Sequence, residues 1–156
     1  MKKALIVIII LFSTIYSTNA QDYNTGIGLR GGWFNGITAK HFIAEQTAIE
    51  GTVALRWSGI SITGLYEIQK PINITDGLSW FYGGGAHIGF WEGSHIKWEE
   101  NRDSYTVIGI DGIIGIEYTF QEIPLNLGID WKPAYNLIGH SSFWGDGGAI
   151  SVRYVF

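Results

Sequence analysis

The sequence predicts an all-β fold: an eight-stranded antiparallel up-and-down transmembrane β-barrel with a salt-bridged polar lumen. Three observations predict it. Apolar and polar residues alternate in eight segments of strand length, and one face is bulky and apolar while the other is charged and glycine-rich. The last segment, AISVRYVF, alternates in the same way and ends on an aromatic residue. Single-chain outer-membrane barrels have an even number of strands, from eight upward, with this alternation.

Residues 1–20 have the organisation of a secretory signal peptide. Lys2 and Lys3 form a basic start, residues 4–12 are apolar, and small residues precede Ala20, after which we expect cleavage. The apolar run is too short for a spanning helix, which needs about 20 apolar residues. We expect residues 21–156 to form one barrel domain.

Composition excludes several kinds of site. The chain has no cysteine, so it holds no disulfide, thiol nucleophile or thiolate metal site. Its net charge is −4 with both signs spread along the chain, which argues against a nucleic-acid partner. We predict neither a metal site nor a cofactor.

In the predicted strands, the apolar residues stay on the same face from one strand to the next across the connections. A slip of one residue would exchange the two faces, so a register shared across the turns supports the assignment. Gly36 suits a left-handed position in a three-residue loop. The predicted strands are 24–33, 37–43, 49–57, 60–69, 78–90, 107–120, 125–135 and 147–156. Connections 44–48, 70–77 and 121–124 would face the periplasm, and connections 34–36, 58–59, 91–106 and 136–146 would face outward.

The polar face predicts an ion-paired lumen. Its lysines and arginines balance its acids at five each. A narrow lumen with unpaired charges would be very costly, so we expect a neutral, salt-bridged plug in which Arg153 pairs with a carboxylate. The predicted lumen network is Arg30, Lys40, Glu50, Arg56, Glu67, His87, Asp111, Glu117, Asp130, Lys132 and Arg153.

Alternation alone leaves two architectures open. In a soluble barrel such as a lipocalin the apolar face lines a cavity, whereas in an outer-membrane barrel it faces lipid. The apolar side chains are too bulky for an eight-stranded interior, and glycines on the charged face would make room for long side chains, so we favour the membrane barrel. Its predicted aromatic girdles are Trp33 and Trp57 at one end and Tyr118, Phe120, Tyr154 and Phe156 at the other.

Three stretches, GLRGGWFNGITAKHF, ITGLYEIQKP and DWKPAYNLIGHSSFWGDGGAISVRYVF, resemble small outer-membrane β-barrel proteins of the Bacteroidota type. The resemblance covers most of the mature chain and is strongest after Asp130. More broadly, the chain resembles the eight-stranded group that includes the OmpA membrane domain and OmpX. The resemblance implies an outer-membrane location in a Gram-negative bacterium and recognition of Phe156 by the barrel-assembly machinery. It implies no catalytic residues.

The only candidate chemistry lies in the predicted outer loops. His140 and Ser142 resemble, in their spacing, the histidine and serine of outer-membrane lipid A deacylases. No glutamate follows Ser142, and a nucleophile without a placed acid is weakly supported. Loop 91–106 holds acidic residues and a histidine without a metal-ligand spacing, and its Trp98 is better suited to partner contact.

These patterns predict a monomeric, non-enzymatic outer-membrane barrel with a structural or surface-recognition role. Outer-membrane lipid and lipopolysaccharide would surround it, and an extracellular partner would bind at loops 91–106 and 136–146. Two alternatives remain open, a lipid A-modifying hydrolase that uses His140 and Ser142 and a small pore.

Overall fold

The computed structural model describes residues 23–32, 35–56, 59–91, 105–139, 143–145 and 147–156. In this part of the chain, no helix is long and apolar enough to cross a membrane. The described strands are β1 (Thr25–Gly32), β2 (Asn35–Ala44), β3 (Thr47–Arg56), β4 (Gly59–Pro71), β5 (Leu78–Trp91), β6 (Tyr105–Thr119), β7 (Leu125–Trp131), β8 (Ala134–Ile138), β9 (Phe143–Trp144) and β10 (Gly148–Val155).

The strands close into a ring of eight positions. Neighbours follow the order β5-β4-β3-β2-β1-β10-β7-β6, and β6 pairs with β5 to complete the ring. Each pairing is antiparallel, including the closure of β1 on β10, where Gly26 lies opposite Val155. The structure therefore confirms the predicted eight-stranded up-and-down barrel. We call the end that holds Tyr23 and Phe156 the terminal end, and the opposite end the loop end.

Two of the eight positions are interrupted strands. β7 and β8 flank residues 132–133, yet the register with β6 continues across this gap, since Trp131 lies opposite Ile114 and Ala134 opposite Asp111. The register shifts further along β8, between Ile108 and Gly109 of β6. The proline in this interruption has no N–H to donate to the ladder, which accounts for the break. β9 and β10 form the last position in the same way, with β9 paired to β8 and β10 paired to β7.

The first turn at the loop end is tighter than predicted. The predicted loop 34–36 is wrong in position, because Asn35 and Gly36 already belong to β2 and Gly36 pairs with Ala54. The Asn35 side-chain oxygen accepts a hydrogen bond from the Gly32 N–H (3.1 Å), and this contact closes the turn early. Gly36 is therefore a strand residue and not the expected left-handed loop residue.

The predicted loop 136–146 is also too long. β8 continues to Ile138 and β9 occupies Phe143–Trp144, so sheet pairing extends into this loop. At the terminal end, the predicted turn 44–48 shortens to 45–46, and the turn 70–77 begins only after Pro71. These errors in the predicted strand ends have one cause. Alternation of residue types indicates which way side chains point, but it does not indicate where backbone pairing stops.

The bulky apolar face lies outside the barrel and the charged face inside. Large apolar side chains are exposed at alternate positions, as at Leu29 (68%), Leu55 (65%) and Ile150 (58%). The positions between them carry buried polar or charged side chains, as in β10, where Ser151 and Arg153 are buried. This is the arrangement predicted for a membrane barrel and the reverse of a lipocalin.

Candidate functional site

The barrel interior brings most of the predicted lumen network together. Of the eleven predicted residues, two are exceptions: Lys132 is half-buried, and the side chain of Arg56 lies outside the described residues. Nine of the predicted residues are buried, namely Arg30, Lys40, Glu50, Glu67, His87, Asp111, Glu117, Asp130 and Arg153.

Arg153 is fully buried and is held by several side chains. Its Nη2 donates to Glu50 Oε2 at 2.8 Å, and its Nη1 donates to the Asn126 amide oxygen at 3.3 Å. Nη1 also lies 3.6 Å from Glu117 Oε2. The closing strand therefore presents its arginine to two carboxylates, as the sequence predicts.

Lys40 connects opposite walls of the barrel. Its Nζ lies 3.1 Å from Glu117 Oε2 and 3.0 Å from Glu67 Oε2. Lys40 belongs to β2 and Glu117 to β6, which are four positions apart in the ring of eight. A side chain from one wall thus touches a side chain from the wall directly opposite, so the lumen is filled at this level.

Arg30 completes a continuous set of ion pairs. Its guanidinium donates to the Asp130 carboxylate, and its Nη1 lies 3.9 Å from Glu50 Oε1. Glu50 also accepts a hydrogen bond from the Thr38 hydroxyl at 2.7 Å. We call the connected set Arg30, Lys40, Glu50, Glu67, Glu117, Asp130 and Arg153 the main cluster.

The main cluster holds four acids against three cations among the described side chains. Glu67 is the acid with the weakest support, because neither of its oxygens has a hydrogen-bond partner in the described part of the chain, although Oε2 lies 3.0 Å from Lys40 Nζ, whereas Asp130 has one oxygen without a partner. The five-to-five balance of the sequence is therefore not reproduced within this one cluster.

Several neutral residues of the lumen network are absent from the predicted set. The Gln69 side chain accepts from Lys40 Nζ (2.7 Å) and donates to Glu117 Oε1 (2.8 Å). The Tyr23 hydroxyl also donates to Glu117 Oε1 (2.8 Å). Strand parity places Gln69 in the lumen, so the sequence held that signal, whereas Tyr23 precedes β1 and no alternation assigns its direction.

A second group of polar side chains lies nearer the loop end. Asp111 accepts from Lys132 Nζ at 2.5 Å through Oδ1, and its Oδ2 lies 2.7 Å from His87 Nδ1. The other imidazole nitrogen, Nε2, lies 3.0 Å from the Asn136 amide oxygen. We call His87, Asp111, Lys132 and Asn136 the loop-end cluster.

Apolar side chains also pack inside the lumen, beside the main cluster. Leu65, Phe81 and Ile113 form a buried cluster, and the Phe81 ring centroid lies 4.3 Å from Lys40 Nζ. Gly115 makes room for this ring, since a Cβ there would lie 2.6 Å from Phe81 Cζ. This close approach supports the prediction that lumen glycines make space for long side chains.

The described lumen lacks the geometry of a hydrolytic site. Ser61 lies near His87 on the neighbouring strand, but His87 Nε2 faces the Asn136 amide and not a serine hydroxyl. A nucleophile needs a base within hydrogen-bond reach. Among the described residues, no group of three or more histidine, aspartate or glutamate side chains could hold a metal ion.

The predicted hydrolase pair, His140 and Ser142, lies outside the described residues, and so does most of loop 91–106. Both stay predictions. Trp33 and Trp57 also lie outside them.

The residues predicted for the terminal-end girdle form two aromatic pairs. Tyr118 and Phe120 have ring centroids 4.9 Å apart, and Tyr154 and Phe156 have centroids 6.2 Å apart. The backbone of Phe156 is fixed as well, because its N–H and carbonyl both bond to Thr25 at 2.8 Å.

Comparison with known proteins identifies a similar fold. The structure resembles the crystal structure of the N-terminal β-barrel domain of OprF from Pseudomonas aeruginosa, with a TM-score of 0.68 and 12% sequence identity. The match covers 87% of this chain and 98% of that one. No protein-family model matches the sequence, and no curated protein matches it. At this identity the likeness establishes the barrel fold.

Proposed function

We propose that the chain is an integral barrel of the bacterial outer membrane, of the Bacteroidota type, with no enzymatic activity. Its lumen is plugged, and its loop end has a structural or surface-recognition role. The terminal end faces the periplasm. The observation that carries the proposal is the inversion of the usual protein pattern, with large apolar side chains outside and charged side chains buried inside.

The apolar surface has the height that a membrane requires. On β6, outward positions run from Ile108 to Tyr118, and the isoleucines among them are 39–51% exposed. Ten residue steps at about 3.3 Å each, tilted by about 40°, span about 25 Å along the barrel axis, and the apolar band of outer-membrane barrels is about 25 Å tall. A water-soluble monomer rarely exposes a continuous apolar patch of more than a few hundred Å².

The filled lumen supports the proposal that the barrel does not conduct ions or solutes. Lys40 and Glu117 meet across the full width of the barrel at 3.1 Å, and Phe81 and Leu65 occupy the interior beside them. Eight strands leave an interior just wide enough to be filled by side chains. A small pore is therefore the disfavoured alternative.

Two measurements test the proposal. Membranes of cells that express the full chain are separated into inner and outer fractions and extracted with carbonate at high pH, with urea or with detergent. We expect the protein in the outer fraction, released by detergent alone, and solubility without detergent would contradict the membrane assignment. Planar bilayers should show no steady single-channel current, whereas a large and steady current would contradict the plug.

A further inference from the structure

A small cavity lies at the loop end of the lumen, beside the loop-end cluster. Its volume is about 20 Å³, and room for one water-sized group requires about 10–15 Å³. Ser61, His87, Asp111 and Lys132 provide its polar lining. Trp91 and Trp144 form its aromatic wall, with ring centroids 6.1 Å apart at an angle of 73°.

The polar groups left open in this cavity are hydrogen-bond donors. Both Asp111 oxygens are engaged, Oδ1 by Lys132 and Oδ2 by His87. The Lys132 ammonium has three N–H groups and gives one of them to Asp111. The Ser61 side chain is about nine-tenths buried, and its hydroxyl has no hydrogen-bond partner among the described residues. A buried hydroxyl without a partner is costly, so a bound acceptor would stabilise it.

We propose that this cavity binds the carboxylate group of a small organic acid. One carboxylate oxygen accepts from the Lys132 ammonium and the other from the Ser61 hydroxyl. The carbon next to the carboxylate packs against the rings of Trp91 and Trp144. The site goes beyond the proposed function and does not depend on it, because its lining residues sit inside the barrel whichever medium surrounds the outer face.

The geometry separates a carboxylate from simpler ligands. A neutral amide of the same shape lacks the charge that pairs with Lys132, and hydrogen bonds to a charged partner are about twice as strong as neutral ones. A chloride ion has the charge but lacks a second acceptor atom and an apolar part for the tryptophan wall. Acetate, acetamide and chloride are therefore a matched set of probes.

The test is a titration of the folded full-length protein in detergent micelles, monitored by the indole N–H resonances of its seven tryptophans. Trp91→Phe and Trp144→Phe variants assign the two resonances of interest. With acetate at constant ionic strength, we expect these two resonances to shift in a saturable way. Acetamide should leave them in place, and sodium chloride should give no saturable shift.

Two lining variants and one control complete the test. Ser61→Ala removes a single neutral hydrogen bond and leaves the ion pairs intact, so we expect acetate to bind about 2–10-fold more weakly. Lys132→Gln should weaken binding by about 10-fold or more, and the exposed Lys70→Gln should leave it unchanged. The proposal is overturned if acetate gives no saturable shift, if chloride acts equally, or if Ser61→Ala binds acetate like the wild type.

Discussion

Replacing Arg153 with methionine is expected to lower the free energy of unfolding by about 3–5 kcal/mol. The guanidinium is fully buried and contacts Glu50 at 2.8 Å, Asn126 at 3.3 Å and Glu117 at 3.6 Å. Methionine fills a similar volume without a charge, so the main loss is electrostatic. Removing one partner of a buried ion pair leaves the other charge uncompensated, and this is the larger part of the cost.

Urea unfolding of the protein reconstituted in lipid vesicles, monitored by tryptophan fluorescence, measures this difference. The double variant Arg153→Met with Glu50→Gln should recover about 1 kcal/mol or more relative to the sum of the two single variants, because residues in one ion-pair network couple strongly. The exposed Lys70→Met is the control for loss of a cation and should match the wild type. A loss below about 1 kcal/mol for Arg153→Met, or strict additivity in the double variant, would refute the reasoning.

Three further predictions use the same unfolding assay. Glu67→Gln is expected to leave the free energy of unfolding unchanged or raise it, since it removes one of the four acids that face three cations in the main cluster. Glu117→Gln should lower the free energy of unfolding. Equal losses for the two variants would contradict the reasoning from the excess acid. Gly109→Ala should destabilise the barrel because a Cβ there would lie 2.5 Å from the His87 ring, while Gly51→Ala, with no atom within 4 Å, should be tolerated. Ile114→Lys, at the middle of the outward positions of β6, should cost about 2–4 kcal/mol, and a neutral result in vesicles would argue against lipid contact.

The faces of the barrel could be predicted from sequence because a strand alternates its side chains with a period of two residues. Parity alone places Arg153 inside and Ile150 outside, and the structure has them there. The strand ends could not be predicted in this way. β8 runs to Ile138 because its backbone pairs with β6, and the side-chain pattern carries no signal for that pairing. Tyr23 lies outside the alternating segments, so its burial against Glu117 follows only from the closed fold.

The sequence could not predict which charged side chains pair with each other in the lumen. That pairing depends on the closed ring of strands and not on the order of the residues along the chain. Residues that pair along a hairpin are close in sequence, but Arg153 reaches Glu50 over 103 residues and Arg30 reaches Asp130 over 100. Such contacts require the strand order, the register and the closure of β1 on β10 together. The sequence supplies a set of charges on one face, and only the closed barrel decides which of them meet.

This distance in sequence has a consequence for how the barrel is held shut. In an open sheet, Lys40 on β2 and Glu117 on β6 would be four strand positions apart, or about 19 Å at about 4.8 Å per strand. In the closed barrel the same two groups lie 3.1 Å apart. The pair of Lys40 and Glu117 can thus form only after closure, whereas pairs between next-but-one strands, such as Lys40 with Glu67, do not require it. The pair that crosses the lumen therefore selects the closed ring of eight over partly open sheets, even where its net contribution to stability is small.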